Sequence, residues 1–167
     1  MTTTIDWMGR APLPLRSGAH SDGSACCLRE MLHYLAHGTV RDAVPKCASL
    51  VLGSLAQPLT DSGKWADDAE RERVLLPYAA RLVRTGRDPA AEMRRMFAVV
   101  DEARLIVADL FDNIHVPHSL RSLAPITDGE SAEAAWAADA AAAAAAEIPS
   151  LTIAVLSRRL LDRGLAA

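Results

Sequence analysis

The stretch from His20 to Gly38, HSDGSACCLREMLHYLAHG, gathers two adjacent cysteines, a glutamate, a tyrosine and three histidines. Side chains of these types can hold a metal, supply a thiolate nucleophile, or form the wet face of a helix. At about 100° per residue, with Cys26 as origin, Glu30 falls near 40°, His33 near 340° and His37 near 20°. The four make one narrow stripe. Leu28, Met31, Leu32 and Leu35 occupy the opposite side, between about 140° and 240°, with Cys27 and Tyr34 at the boundary.

The metal chemistry would rest on Glu30-x-x-His33, the acid-x-x-His spacing that di-iron helical bundles use twice. A second such pair is Asp112-x-x-His115, with His118 close behind. Together they would offer oxygen and imidazole ligands to a divalent metal. Against this, both pairs are expected to face outward. Glu30 and His33 point away from the leucines, and Asp112 shares a polar face with Asp101 and Asp109, whereas bundle ligands project inward. The thiol chemistry would use Cys26 or Cys27 near a helix N-terminus, where the dipole favours the thiolate. Seven residues separate Cys26 from His33, so a nucleophile–base contact does not follow from spacing. The plainer reading makes Cys27 and Cys47 small buried hydrophobes and Glu30, His33 and His37 a solvated or docking face. That reading is favoured, and no cofactor is expected.

These residues need helices to position them. The first is expected over about Ser24–His37, with Ser24 as cap and Gly38 as stop. A second should run from Pro45 to Pro58. A third, capped by Asp67 or Asp68, should be kinked or broken at Pro77 and end at Gly86, with an Asp67–Arg71 pair on its surface. Asp88-Pro89 opens a fourth that continues to about His115. Its apolar face includes Met93, Met96, Phe97, Val100, Ile106, Val107, Leu110, Phe111 and Ile114. A short helix or turn follows around HSLRSLAPI. An Ala-rich helix is expected near 131–147, and a closing amphipathic helix offers Leu151, Val155, Leu156, Leu160 and Leu161 for packing. Nothing alternates as a strand should. The expectation is an all-α, compact bundle of about six or seven helices (residues 23–167, one domain) behind an extended N-terminal arm, residues 1–22.

Composition narrows the function classes. The chain has 167 residues, 50% hydrophobic and 23% charged, with aromatics at 4% and a net charge of −3. A non-basic surface argues against nucleic acid and anionic membranes. The first residues lack the apolar core of a signal peptide, and no long apolar run spans a bilayer, so a cytoplasmic protein with reduced thiols is expected. Arg94 and Arg95 with Arg81, Arg84 and Arg87 read as helix-surface charge rather than an anion site. Phosphate loops, nucleophile elbows and Cys-x-x-Cys pairs do not occur.

The segment LLPYAARLVRTGRDPAAEMRRM, with the Cys–Glu–Tyr helix before it and the Trp136 alanine tract and LLDRG after it, resembles a set of uncharacterised actinobacterial all-α proteins. Those chains similarly carry a Pro-Tyr…Arg-Leu-Val-x-Thr segment and an Ala/Trp-rich tail. The likeness spans roughly residues 24–164 and implies a fold but no activity; the short tract with its single tryptophan departs from the pattern.

The function expected is a non-catalytic helical binding or interaction module, with a protein partner or self-association as its target. An exposed apolar stripe over 151–161 would favour the latter. A small-molecule pocket lined by Met93, Met96, Phe97 and Tyr78 is a further reading. The alternative is a small helical enzyme, using Cys26, Glu30 and His33 catalytically or a metal held by Glu30, His33, Asp112 and His115.

Overall fold

Residues 13–18, 24–86, 88–115, 117–128, 131 and 153–167 are described by a computed structural model of the chain. Among them are five α-helices, one 3-10 turn and no β-strand. Six or seven helices were expected; the Ala-rich stretch that should supply another lies almost wholly outside the described residues. The chain divides into two compact units, Met1–Glu92 and Met93–Ala167.

Unit 1 is built on three helices that pack on one another: α1 (Leu28–His37), α2 (Leu50–Asp61) and α3 (Asp68–Val83). Helix α1 starts three residues later than a Ser24 cap would dictate, with Cys27 as its cap, because Cys26 is held in extended backbone. Its N–H donates to Pro14 O at 3.0 Å, and its own carbonyl accepts from Arg16 N at 3.1 Å, forming an isolated parallel bridge between Leu15 and Cys26. Leu15 is fully buried. The described part of the expected arm is thus fastened to the unit, further secured by Leu15 N to Glu72 at 3.0 Å and Arg16 to Asp68 at 3.1 Å. The helix ends where expected, at Gly38, whose φ of 77° is the left-handed stop that glycine adopts without cost.

Helix α2 takes Ser49 rather than Pro45 as its start, and it runs through Pro58 instead of ending there. Its opening is tied across the unit: Ser49 N donates to Thr85 Oγ1 and Val51 N to Glu92. Thr60, buried near its end, donates to Ala56 O at 2.8 Å and accepts from Leu28 N at 3.1 Å. That second bond satisfies one of the amides at the start of α1 that the helix itself leaves open. Helix α3 is capped by Asp67, which accepts from Glu70 N at 2.7 Å. Arg71 pairs with Asp68, not with Asp67 as its four-residue spacing suggested. The helix is continuous through Pro77. The leucine side of α1 is the interior side: Leu28, Met31, Leu32 and Leu35 are all fully buried. At about 1.5–3 kcal/mol for each large apolar side chain, this face anchors the unit.

Unit 2 contains most of α4 (Pro89–Asn113), the 3-10 turn Leu120–Ser122 and α5 (Ile153–Ala166). Asp88 starts α4 as expected, accepting from Ala91 N at 2.7 Å. Ala108, Phe111 and Leu120 form a buried cluster, with Val107, Ile114 and Leu123 packed against it. From α5, Leu160 and Leu161 are buried. The closing stripe is therefore largely interior, its exposed member being Val155, while Leu151 lies outside the described residues.

Candidate functional site

The stripe on the first segment does not survive as one surface. Glu30 is 3% exposed, and its Oε2 accepts from Cys27 N at 2.8 Å. Cys27 Sγ in turn accepts from Glu30 N at 3.4 Å, so the two close a capping box with a thiol in the place usually taken by a hydroxyl. The expectation that Glu30 faces water is corrected on this ground: a glutamate at the third helical position turns back to the open amide before it. Cys26, the origin of the helical wheel, lies outside the helix and is fully buried. Tyr34 at the next turn supplies the carbonyl that closes the Gly38 cap.

Burial bears on the thiol alternative as well. Burial pushes the Cys26 thiol up to about 12, with Cys27 and the carboxylates of Glu30 and Glu72 adding to the rise. Burial likewise raises Cys27 to about 11, despite the lowering contributed by the Glu30 amide. The helix N-terminus fails to make a thiolate here because desolvation of the charged form outweighs the dipole. Cys27 is buried as the plainer reading expected, but Cys47 is exposed.

His33 and His37 keep the surface position expected of them. His37 is exposed and His33 partly so, with ring centroids 4.7 Å apart and planes tilted by 53°. His33 Nδ1 donates to Thr39 O at 2.8 Å.

The second acid-x-x-His pair belongs to unit 2, whereas Glu30 and His33 belong to unit 1. Asp112 is exposed and holds His118 Nε2 at 2.9 Å and Arg121 Nη2 at 2.7 Å. His115 has already left the helix, at a φ of 57°. Arg121 also reaches Asp109, and Arg159 from α5 bridges Glu102 and Asp109. Burial would raise the Asp109 carboxyl, but hydrogen bonds from Arg121 and Arg159 outweigh it and hold the group below its usual 3.8. Asp112 is lowered by Arg121 and then by His118. Asp112 is thus part of a surface ion network and not a ligand set. Among the described residues, no group of three or more His, Cys, Asp or Glu side chains is placed to hold a metal ion.

Asp101 was expected on the same outward face, and it is instead buried. Its Oδ1 accepts from Arg104 Nε at 3.1 Å, Arg104 Nη2 at 2.7 Å and Ile126 N at 3.1 Å, while Arg104 also donates to Leu120 O. The i,i+3 spacing of an acid and an arginine on α4 was the available signal. Beside it lies a cavity of about 230 Å³, lined by Arg94, Phe97, Ala98, Asp101, Ile126 and Arg163 among others. Of the four residues suggested for a pocket, only Phe97 lines it.

The feature that sequence reasoning misplaced is apolar. Met93, Met96 and Val100, expected in the core, are 49%, 36% and 41% exposed. They succeed one another at spacings of three and four, and Ala103 and Val107, both half-buried, continue the same rhythm. That is the 3.5-residue repeat of a helix seam made to meet another helix.

No helix among the described residues is long and apolar enough to cross a membrane. Compared with known proteins, the chain matches no family model, no curated protein and no solved structure.

Proposed function

We propose that this protein is a non-catalytic helical interaction module that associates with a second copy of itself along α4. The observation that carries the reading is the exposed row Met93, Met96 and Val100. A row with a 3.5-residue repeat stays on one face of a supercoiled helix, so it matches an identical row on another chain. Two copies meeting this way form a closed, two-fold interface in which each side chain finds its own equivalents or near neighbours. Methionine suits such a seam because its flexible thioether adapts to the opposing surface. The likeness to the actinobacterial all-α set belongs to the same proposal and supplies a fold without an activity.

Sedimentation equilibrium on the full chain tests it. The expected result is a mass rising from monomer to dimer by about 100 μM, equivalent to roughly −5.5 kcal/mol of association. Met96→Lys with Val100→Lys is expected to restore the monomer. Both positions are exposed and lysine is a good helix former, so the helical signal should persist. A wild-type chain that stays monomeric throughout that range overturns the proposal, as does a double variant that dimerises equally well.

A further inference from the structure

The C-terminal half of α1 carries a pair of histidines that the capping box and the packed leucines do not use. We propose that His33 and His37 form a two-point site for a divalent transition-metal ion of the nitrogen-preferring class, with Cu²⁺ held most strongly. Three observations converge on it, and none depends on association through α4.

The first is position. Residues four apart on a helix stand one above the other on the same face. Here the two rings lie 4.7 Å apart between centroids, close enough for one ion to sit between a nitrogen of each. The second is the state of the His33 ring. A carbonyl oxygen can only accept, so the 2.8 Å contact with Thr39 O places a proton on Nδ1, and in the neutral ring the lone pair is then on Nε2. A histidine ligand whose other ring N–H is fixed by a carbonyl is the usual supporting arrangement at metal sites, since it sets both tautomer and ring orientation. The third is how that carbonyl comes to be there. Gly38 turns the chain back at a φ of 77°, and the residue after it, Thr39, presents its oxygen to the ring one turn earlier. The helix stop thus builds the support for the ligand.

The surroundings define the ion. Glu30, on the same side of α1, is buried and bound to the Cys27 amide, and Asp42 is paired with Arg29. With two imidazoles and no carboxylate completing a group of three among the described residues, the site disfavours Ca²⁺ and Mg²⁺, which prefer oxygen. Borderline ions that favour imidazole fit it, and affinity among them rises towards Cu²⁺. Water fills the remaining positions, so the ion is exchangeable.

The experiment titrates chelator-treated full-length protein with Cu²⁺ at pH 7.5, following heat by calorimetry and the nitrogen splitting of the copper signal by electron paramagnetic resonance. One equivalent of Cu²⁺ with two coordinated nitrogens is expected. His33→Ala and His37→Ala should each weaken binding by at least the roughly 10–100-fold typical of losing even a supporting group. His115→Ala, at an exposed histidine elsewhere, should leave it unchanged. Both α1 substitutions fall at the helix surface, and circular dichroism will confirm that the helices persist. A signal from one nitrogen, or affinity within twofold of wild type in either α1 variant, overturns the proposal.

Discussion

The two acid-x-x-His sequences, Glu30 with His33 and Asp112 with His115, have identical spacing and opposite fates. In α1 the acid is buried at the helix start and the histidine remains on the surface. In α4 the acid is exposed and the histidine has left the helix altogether. The difference lies in where each pair falls along its helix. Near an N-terminus, open backbone amides draw a carboxylate inward and back; near a C-terminus there are only open carbonyls, so the acid turns to arginine and histidine side chains. Spacing states which residues share a face. Position along the helix decides what that face is used for.

The sharpest way to break this contrast is chemical. With their folded values near 12 and 11, Cys26 and Cys27 carry thiolate at pH 8 on the order of 10²–10³ below an ordinary thiol. Iodoacetamide should therefore label Cys47 in the folded protein and reach the other two only after denaturation, as counted by mass spectrometry. Rapid labelling of Cys26 would return the segment to the thiol reading.

Three acids should then rank themselves by urea denaturation. Asp101→Ala leaves the Arg104 guanidinium buried without its carboxylate, and it should cost about 3–5 kcal/mol. Glu30→Ala strips the Cys27 amide of its acceptor and opens the capping box, for about 1–3 kcal/mol, with Glu30→Gln recovering much of the loss. Asp112→Ala should shift the midpoint least, because exposed ion pairs are screened by solvent and salt. Any other order would detach burial from these roles.

A smaller effect sharpens the comparison of the two helix stops. Gly38 and His115 both take left-handed backbone, but a side chain there costs roughly 1–2 kcal/mol. His115→Gly should raise stability by about 0.5–1 kcal/mol, and Gly38→Ala should lower it by about 1 kcal/mol.

The smallest effect is in acid. The folded Asp109 carboxyl releases its proton more readily than the unfolded one, so its contribution is complete above about pH 4 and is lost as pH falls below the ordinary 3.8. Asp109→Asn should flatten that part of the stability profile, measured by thermal melts between pH 5 and pH 2.5.

Much of the helical order was legible because its signals are local. Gly38, Asp67, and Asp88 with Pro89 mark helix ends through backbone geometry and capping that involve neighbours within four residues. The third helix instead stops at Val83, short of the expected Gly86, whose amide donates to the distant Cys47 carbonyl at 2.9 Å. The inward leucines of α1 follow from periodicity alone. What could not be read were effects of distant contacts. Cys26 leaves the helix because Pro14 and Arg16 hold it, and once it leaves, the wheel that grouped it with Glu30 has lost its origin. Helix α2 begins at Ser49 rather than Pro45 in the presence of Thr85, Glu92 and the packing of unit 1 around it. The row of Met93, Met96 and Val100 reads as core by hydrophobicity, and only the arrangement of other elements shows it uncovered. Of the site, the His33–His37 spacing was visible. The Thr39 carbonyl that orients His33 was not, since it follows from how the chain turns at Gly38.

A hydroxyl has a single hydrogen to give. At Thr60 it points to Ala56, which leaves a lone pair for the amide of Leu28 and fixes the direction of both bonds. Valine would match the shape and silence both, stranding an N–H beneath the opening turn of α1. The first and second helices are in this way latched: unfastening one loosens a bond in the other, and exchange of the Leu28 amide with deuterium should track the opening of the pair rather than fraying at one end.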